Sequence, residues 1–174
     1  HLDGARLWNA LVAKKQHPKQ YGVLFDTISV CFSKGLGAPI GSVLVSDAET
    51  MHKALRIRKI FGGNMRQSGY LAAAGIFALQ NNIKRLEDDH RRAKELGQLL
   101  QQLPWVANVS PIETNIVIFE VKKPLTEKQV IDTLKAKGIL ISSMGQGKLR
   151  MVTHLDYKQV LHEYVLENLG KVQF

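Results

Sequence analysis

Lys34 lies in the run Cys31–Ser42 (CFSKGLGAPIGS), between an apolar segment and a glycine-rich loop. A lysine in such a place can be partly desolvated, which lowers its pKa and frees the amine to attack a carbonyl. Upstream, Asp3 opens the turn Asp3-Gly4-Ala5-Arg6. An aspartate at the end of a strand is the partner that a protonated pyridine ring requires. Together the two residues suggest a pyridoxal phosphate (PLP) enzyme. Each alone has a plainer reading: Asp-Gly is a common turn dipeptide, and a loop lysine is commonly solvated. The glycines fit other phosphate-binding patterns poorly. A Walker loop ends in Gly-Lys-Ser/Thr, whereas this one ends Ile40-Gly41-Ser42, and a Rossmann fingerprint needs its third glycine where Ile40 stands. A Schiff-base lysine survives, because glycines let the backbone come close to a bulky ring.

The frame for these residues is a chain of 174 residues, 45% apolar and 22% charged, with room for one good core or two small ones. No run approaches the roughly 20 apolar residues of a membrane span, and no signal-peptide pattern opens the chain. The single cysteine, Cys31, cannot pair internally, which fits a reducing cytoplasm. His1 begins what reads as a strand-ending motif, so we expect a longer protein with a substantial N-terminal part upstream. The formal net charge is +9, and nucleic acid is one partner that a basic chain admits. Here the charges spread over several helices, in clusters such as Arg56-Ile57-Arg58-Lys59 and His90-Arg91-Arg92, with no aromatic residues interleaved. The basic half of a larger protein is the plainer reading.

Leu7, Trp8, Leu11 and Val12 share one face of a helix over Ala5–Lys14. The run Val23–Phe32 holds one or two buried strands, and Ser42–Val45 is another short apolar strand. Asp47 can cap a helix over Ala48–Ile60, which Phe61-Gly62-Gly63-Asn64 breaks. From Met65 to Gln80 runs a helix that is apolar almost all round and therefore reads as buried on most sides. The character changes near Asn82, and we place a domain boundary there, giving residues 1–82 and 83–174. The second part opens with an amphipathic helix, Ile83–Leu103, stopped by Pro104. Strands Trp105–Val109 and Thr114–Val121 follow, then a helix Leu125–Lys137 ending at Gly138. Strands Ile139–Ser142 and Lys148–Thr153 flank the turn Met144–Gly147, and a helix Asp156–Gly170, capped by Asp156, closes the chain. This is an α+β domain with helices on one face of a small sheet. Strand alternation puts Arg150, Val152 and His154 on one side, and a planar guanidinium there suits a bidentate carboxylate clamp.

Four collinear motifs now stand out: His1–Arg6 (HLDGAR), Ser29–Ser42 (SVCFSKGLGAPIGS), Arg58–Gly75 (RKIFGGNMRQSGYLAAAG) and Lys148–His154 (KLRMVTH). They resemble the low-specificity L-threonine aldolases, which are aspartate-aminotransferase-like PLP enzymes. The resemblance implies an α/β fold in which residues 1–82 are the C-terminal part of a PLP-binding large domain and residues 83–174 a small α+β domain. It implies retro-aldol cleavage of L-threonine or L-allo-threonine to glycine and acetaldehyde. Lys34 would carry the cofactor as a Schiff base, and Asp3 would pair with the pyridine nitrogen. Arg6 would lie beside the cofactor and help hold the substrate carboxylate, which Arg150 would grip from the small domain. Arg66, with Lys59 behind it, would lie near the cofactor phosphate, across a subunit interface of a homo-oligomer (a dimer of dimers). His1 would support Asp3. No metal is implied. Asn64 stands where many relatives carry a third glycine, and Asn tolerates positive φ. The family's main phosphate loop and ring-stacking histidine would lie upstream, so this stretch alone is expected to be inactive. Two other readings stay open. One is a different PLP-dependent β-eliminating lyase, separable by its products from threonine against cysteine or tyrosine. The other is a basic RNA-binding module in the second domain, separable by a steep salt dependence.

Overall fold

Leu2, Asp3 and Gly4 form the short strand β1 (Leu2–Gly4), which pairs in parallel with β2 (Thr27–Cys31). The structure is a computed structural model that describes residues 1–174. β3 (Ser42–Ser46) runs antiparallel on the other side of β2, giving the order β1-β2-β3. α1 (Leu7–Lys14) and the short α2 (Lys19–Gly22) connect β1 to β2, and α3 (Ala48–Ile60) and α4 (Gly69–Asn81) follow β3. Leu7 and Leu11 of α1 pack on Ile28 and Val30 of β2. A second cluster gathers Leu36, Ala38, Ala78 and Leu86. These elements make up one compact unit, His1–Leu86; Glu87–Phe174 is the other.

α3 has the predicted span, and Asp47 caps it, accepting from the Thr50 N–H at 2.8 Å. Two expectations for this unit, for the run Val23–Phe32 and for α4, need correction. In the run Val23–Phe32 only Thr27–Cys31 is a strand; Val23 and Leu24 belong to the turn after α2 and are exposed. β3 is not buried: it is paired on one side only, and Val43, Leu44 and Val45 are all exposed. α4 is not buried on most sides. Only its stripe of small residues finds neighbours, with Gly75 against the Phe32 ring and Ala78 in the Leu36 cluster, while Tyr70, Ile76 and Phe77 are exposed at 91%, 56% and 63%.

The second unit follows the predicted α+β plan. α5 (Leu86–Gln102) leads into β4 (Val106–Val109) and β5 (Ile116–Val121), then α6 (Glu127–Ala136), β6 (Ser142–Gly145), β7 (Lys148–Val152) and α7 (Gln159–Gly170). The sheet is antiparallel with the order β4-β5-β7-β6. Alternate strand residues Val117, Phe119, Val121, Leu149 and Met151 are buried in one cluster with Leu96 and Leu100 of α5, Val130 and Leu134 of α6 and Leu169 of α7. All three helices therefore cover one face. α6 opens with a Thr126–Gln129 capping box, and Gly138 (φ +72) follows its end.

Several boundaries differ from expectation, those of β6 and α7 among them. β6 begins at Ser142, because Ile139 drops into the core with its N–H bonded to the Leu134 carbonyl. α7 begins at Gln159 with Lys158 at its cap. Asp156 is engaged in a turn instead: its N–H donates to His154 Nδ1 at 3.2 Å and its carboxylate lies 3.8 Å from the same atom. The β6–β7 turn takes positive φ at Gly145, Gln146 and Gly147. The Glu127 carboxylate holds it, accepting from the Ser143 hydroxyl and from the N–H groups of Gly147 and Gly145. Those bonds, the Ser143 hydroxyl first among them, hold the Glu127 carboxyl below the usual carboxylate range. Buried His162 ties α7 to α5 through Glu95 at 2.6 Å and bonds Tyr157 at 3.1 Å. Burial pushes the Tyr157 hydroxyl up to about 12. No helix is long and apolar enough to cross a membrane.

Candidate active site

Parallel pairing brings the C-terminal ends of β1 and β2 to the same edge of the sheet, with Asp3 opposite Ser29 and Gly4 opposite Val30. That edge is where parallel sheets present ligand-binding loops. Alternation sends Ile28 and Val30 toward α1, and Asp3, Ser29 and Cys31 toward the other face. Gly4 is a glycine because a Cβ there would lie 2.5 Å from the Ser29 carbonyl oxygen. Asp3 is exposed, and its Oδ1 accepts from the Ala5 N–H at 3.1 Å. One carboxylate oxygen thus fixes the turn, and the other remains open. Arg6, half-buried, is the residue that precedes the first turn of α1. Just ahead of Asp3, His1 Nδ1 lies 2.7 Å from Thr27 Oγ1 and links the starts of the two strands.

The loop after β2 folds back on itself. The Phe32 N–H donates to the Gly41 carbonyl at 2.9 Å, the Ala38 N–H to the Phe32 carbonyl at 3.0 Å, and the Gly37 N–H to the Lys34 carbonyl at 3.0 Å. Gly37 and Gly41 adopt φ of +69° and +116°, which side chains rarely tolerate. Lys34 sits at the start of the turn closed by Gly37. It is exposed, so the desolvation expected of it is not provided here: the buried anchor of the loop is Leu36, two positions on. Three side chains that the sequence reading passed over meet this loop. Asn82 Nδ2 donates to the Leu36 carbonyl at 2.7 Å, Arg85 Nη1 donates to the Gly35 carbonyl at 3.2 Å, and buried Asn9 presses against Gly35. No motif marks them, and the sequence points to Asn82 only as a domain boundary.

Asp3, Arg6 and Lys34 thus share one sheet edge. Arg66 is exposed in the connection between α3 and α4, apart from them in sequence and without a hydrogen bond of its own. Arg150 lies in the other unit, in the middle of β7, opposite Ile118 and Ser142. Its neighbours Leu149 and Met151 face the helices, and Arg150 takes the opposite side of the sheet, as alternation predicts. Its Nε is buried with no acceptor. A buried donor without a partner is costly, and a bound carboxylate would satisfy it. Within the first unit, an open carboxylate, an amine on the adjacent loop and glycines that leave room for a ring fit an aldehyde cofactor with a cationic ring.

Similarity to known proteins agrees with this chemistry. A low specificity L-threonine aldolase of Escherichia coli (strain K12) is 41% identical over 156 residues, which is 90% of this chain and 45% of that protein. Low-specificity L-threonine aldolase 1 of Arabidopsis thaliana is 40% identical over 157 residues, covering 88% of this chain and 44% of that protein. The chain spans about half the length of the curated relatives it matches. Among solved structures, one from Exiguobacterium sp. 255-15, provisionally named an aromatic amino acid beta-eliminating lyase/threonine aldolase, superposes with a TM-score of 0.78. It is 20% identical, and the match covers 98% of this chain and 51% of that one. That likeness speaks for the fold, a mixed α/β arrangement. Residues 1–124, which include Asp3, Arg6 and Lys34, match the family model described as beta-eliminating lyase, and the chain belongs to that family.

Proposed function

We propose that this chain is part of a PLP-dependent lyase that cleaves L-threonine or L-allo-threonine to glycine and acetaldehyde. The observation that carries the proposal is the arrangement of Asp3, Arg6 and Lys34 at one edge of a parallel strand pair, in a chain 41% identical to a named threonine aldolase. PLP, when bound, supplies an electron sink for the Cα–Cβ bond that breaks. Lys34 Nζ would hold the cofactor. The open oxygen of Asp3 would pair with the ring nitrogen. Arg6 and Arg150 hold the substrate carboxylate, and so orient the substrate for cleavage. Arg66, supported by Lys59, receives the cofactor phosphate. On this reading residues 1–82 belong to the cofactor-binding large domain and residues 83–174 form the small domain.

The protein works with further polypeptide. The exposed apolar faces of β3 and α4 suit cover by another part of the same protein and by a second copy in a homo-oligomer. A reducing cytoplasm suits the lone Cys31. In metabolism the reaction would break down threonine and form glycine.

The test is product analysis with the intact protein and PLP. L-Threonine should yield glycine and acetaldehyde in equal amounts, and cysteine or tyrosine should yield no pyruvate. Pyruvate and ammonia from cysteine, with no acetaldehyde from threonine, would replace the aldolase with a β-eliminating lyase.

A further inference from the structure

A loop with glycines at positions 35, 37 and 41 has little conformational preference of its own, so something else must hold the residue it carries. The internal bonds of the Phe32–Gly41 loop close its two ends, but they leave the carbonyls of Gly35 and Leu36 unused. Both are taken by side chains from the segment that follows α4. Asn82 Nδ2 donates to the Leu36 carbonyl at 2.7 Å, and Arg85 Nη1 donates to the Gly35 carbonyl at 3.2 Å, each in a partly buried setting. These are the two peptide groups directly after Lys34. The same segment supplies Leu86, fully buried, whose side chain comes within 3.1 Å of the place a Gly35 Cβ would occupy. Asn9 of α1, 1% exposed, brings its Oδ1 within 2.7 Å of that place. Gly35 is therefore held between α1 and the start of α5, and the carbonyls of Gly35 and Leu36 are fixed in direction.

We propose that Asn82 and Arg85 are positioning residues for Lys34: by bonding the carbonyls of Leu36 and Gly35 they hold the turn that presents the lysine amine. The inference rests on the reading of Lys34 as the residue that carries the cofactor. Neither side chain need touch the cofactor or the substrate. A small displacement of a reacting group is enough to matter, since a misplacement of about 1 Å can cost about 10²-fold in rate.

The experiment uses the intact protein and the variants Asn82→Ala, Arg85→Ala and Arg85→Lys. Without cofactor, hydrogen exchange of the peptide spanning Phe32–Gly41 is the first readout, because the Phe32, Gly37 and Ala38 amides report the closed loop. Each alanine variant should exchange there about 10-fold faster or more, with helix α1 and strand β5 unchanged. Arg85→Lys, which keeps a donor, should restore most of the protection. With cofactor, the alanine variants should lose about 10- to 100-fold in kcat with KM for threonine little changed. Unaltered exchange in the loop would overturn the proposal. So would faster exchange throughout residues 1–86 with a lowered Tm, because that marks general destabilisation; Asn82→Ala, which removes a single hydrogen bond, keeps the test open if Arg85→Ala does not fold. Borohydride labelling of the same preparations separates this inference from the one beneath it. A label off Lys34 with the loop loosened as expected would overturn the assignment of Lys34, and with it the proposal that the clamp serves catalysis.

Discussion

Replacing Lys34 with alanine is expected to lower threonine cleavage by the intact protein by about 10³-fold or more. The amine is the one group on the Phe32–Gly41 loop that can form a Schiff base with an aldehyde, and its place at the start of the turn closed by Gly37 puts it beyond the end of β2, next to the strand that bears Asp3. Alanine leaves the turn intact, because the bond from the Gly37 N–H goes to the backbone carbonyl of residue 34. The loss should therefore come without a change in Tm, together with loss of the visible absorbance of a lysine-bound cofactor. Lys53→Ala serves as the control: that lysine is exposed on α3 and paired only with Glu49 at 2.7 Å. Turnover of Lys34→Ala within about tenfold of the parent protein would contradict the role given to the amine.

Asp3→Asn should cost about 10²-fold in kcat. Asparagine can keep the bond from the Ala5 N–H, so the turn and the entry to α1 survive, and only the charge is removed. Opposite unit charges about 4 Å apart attract by about 4 kcal/mol at an effective dielectric near 20. Asp3 is exposed in this chain, so solvent screens part of that attraction and the expected loss is set lower than the full figure. Comparing kcat with KM makes the prediction specific. The charge acts where the bond breaks, so kcat should fall with KM little altered. A raised KM at constant kcat would assign Asp3 to substrate binding instead.

Local chemistry made much of the second unit legible in the sequence. The apolar run of Thr114–Val121, the helical spacing of Leu96 and Leu100 and the glycine after α6 each act within a few residues, and the structure shows a strand, a helix and a helix end there. The side of the sheet taken by Arg150 followed from strand alternation. The first unit was harder to read, because its apolar pattern reports what a segment can bury and not what lies beside it. α4 is apolar on nearly every side, yet within this unit only Gly75 and Ala78 are covered. At the site, Asp3 and Lys34 were visible because each belongs to a short motif. Asn9, Asn82 and Arg85 were not, since they meet the loop through tertiary contact: Asn82 and Leu36 are 46 positions apart. The desolvation inferred for Lys34 failed for the same reason, because burial is a property of neighbours that the loop does not itself contain.

The central claim is that Lys34 Nζ is the atom that holds PLP. Borohydride reduction of the cofactor-loaded intact protein, followed by proteolysis and peptide mapping, tests it most directly. The account predicts a single pyridoxyl label, on the peptide that contains Lys34. A label on another lysine, or none under conditions where the cofactor is bound, would contradict it.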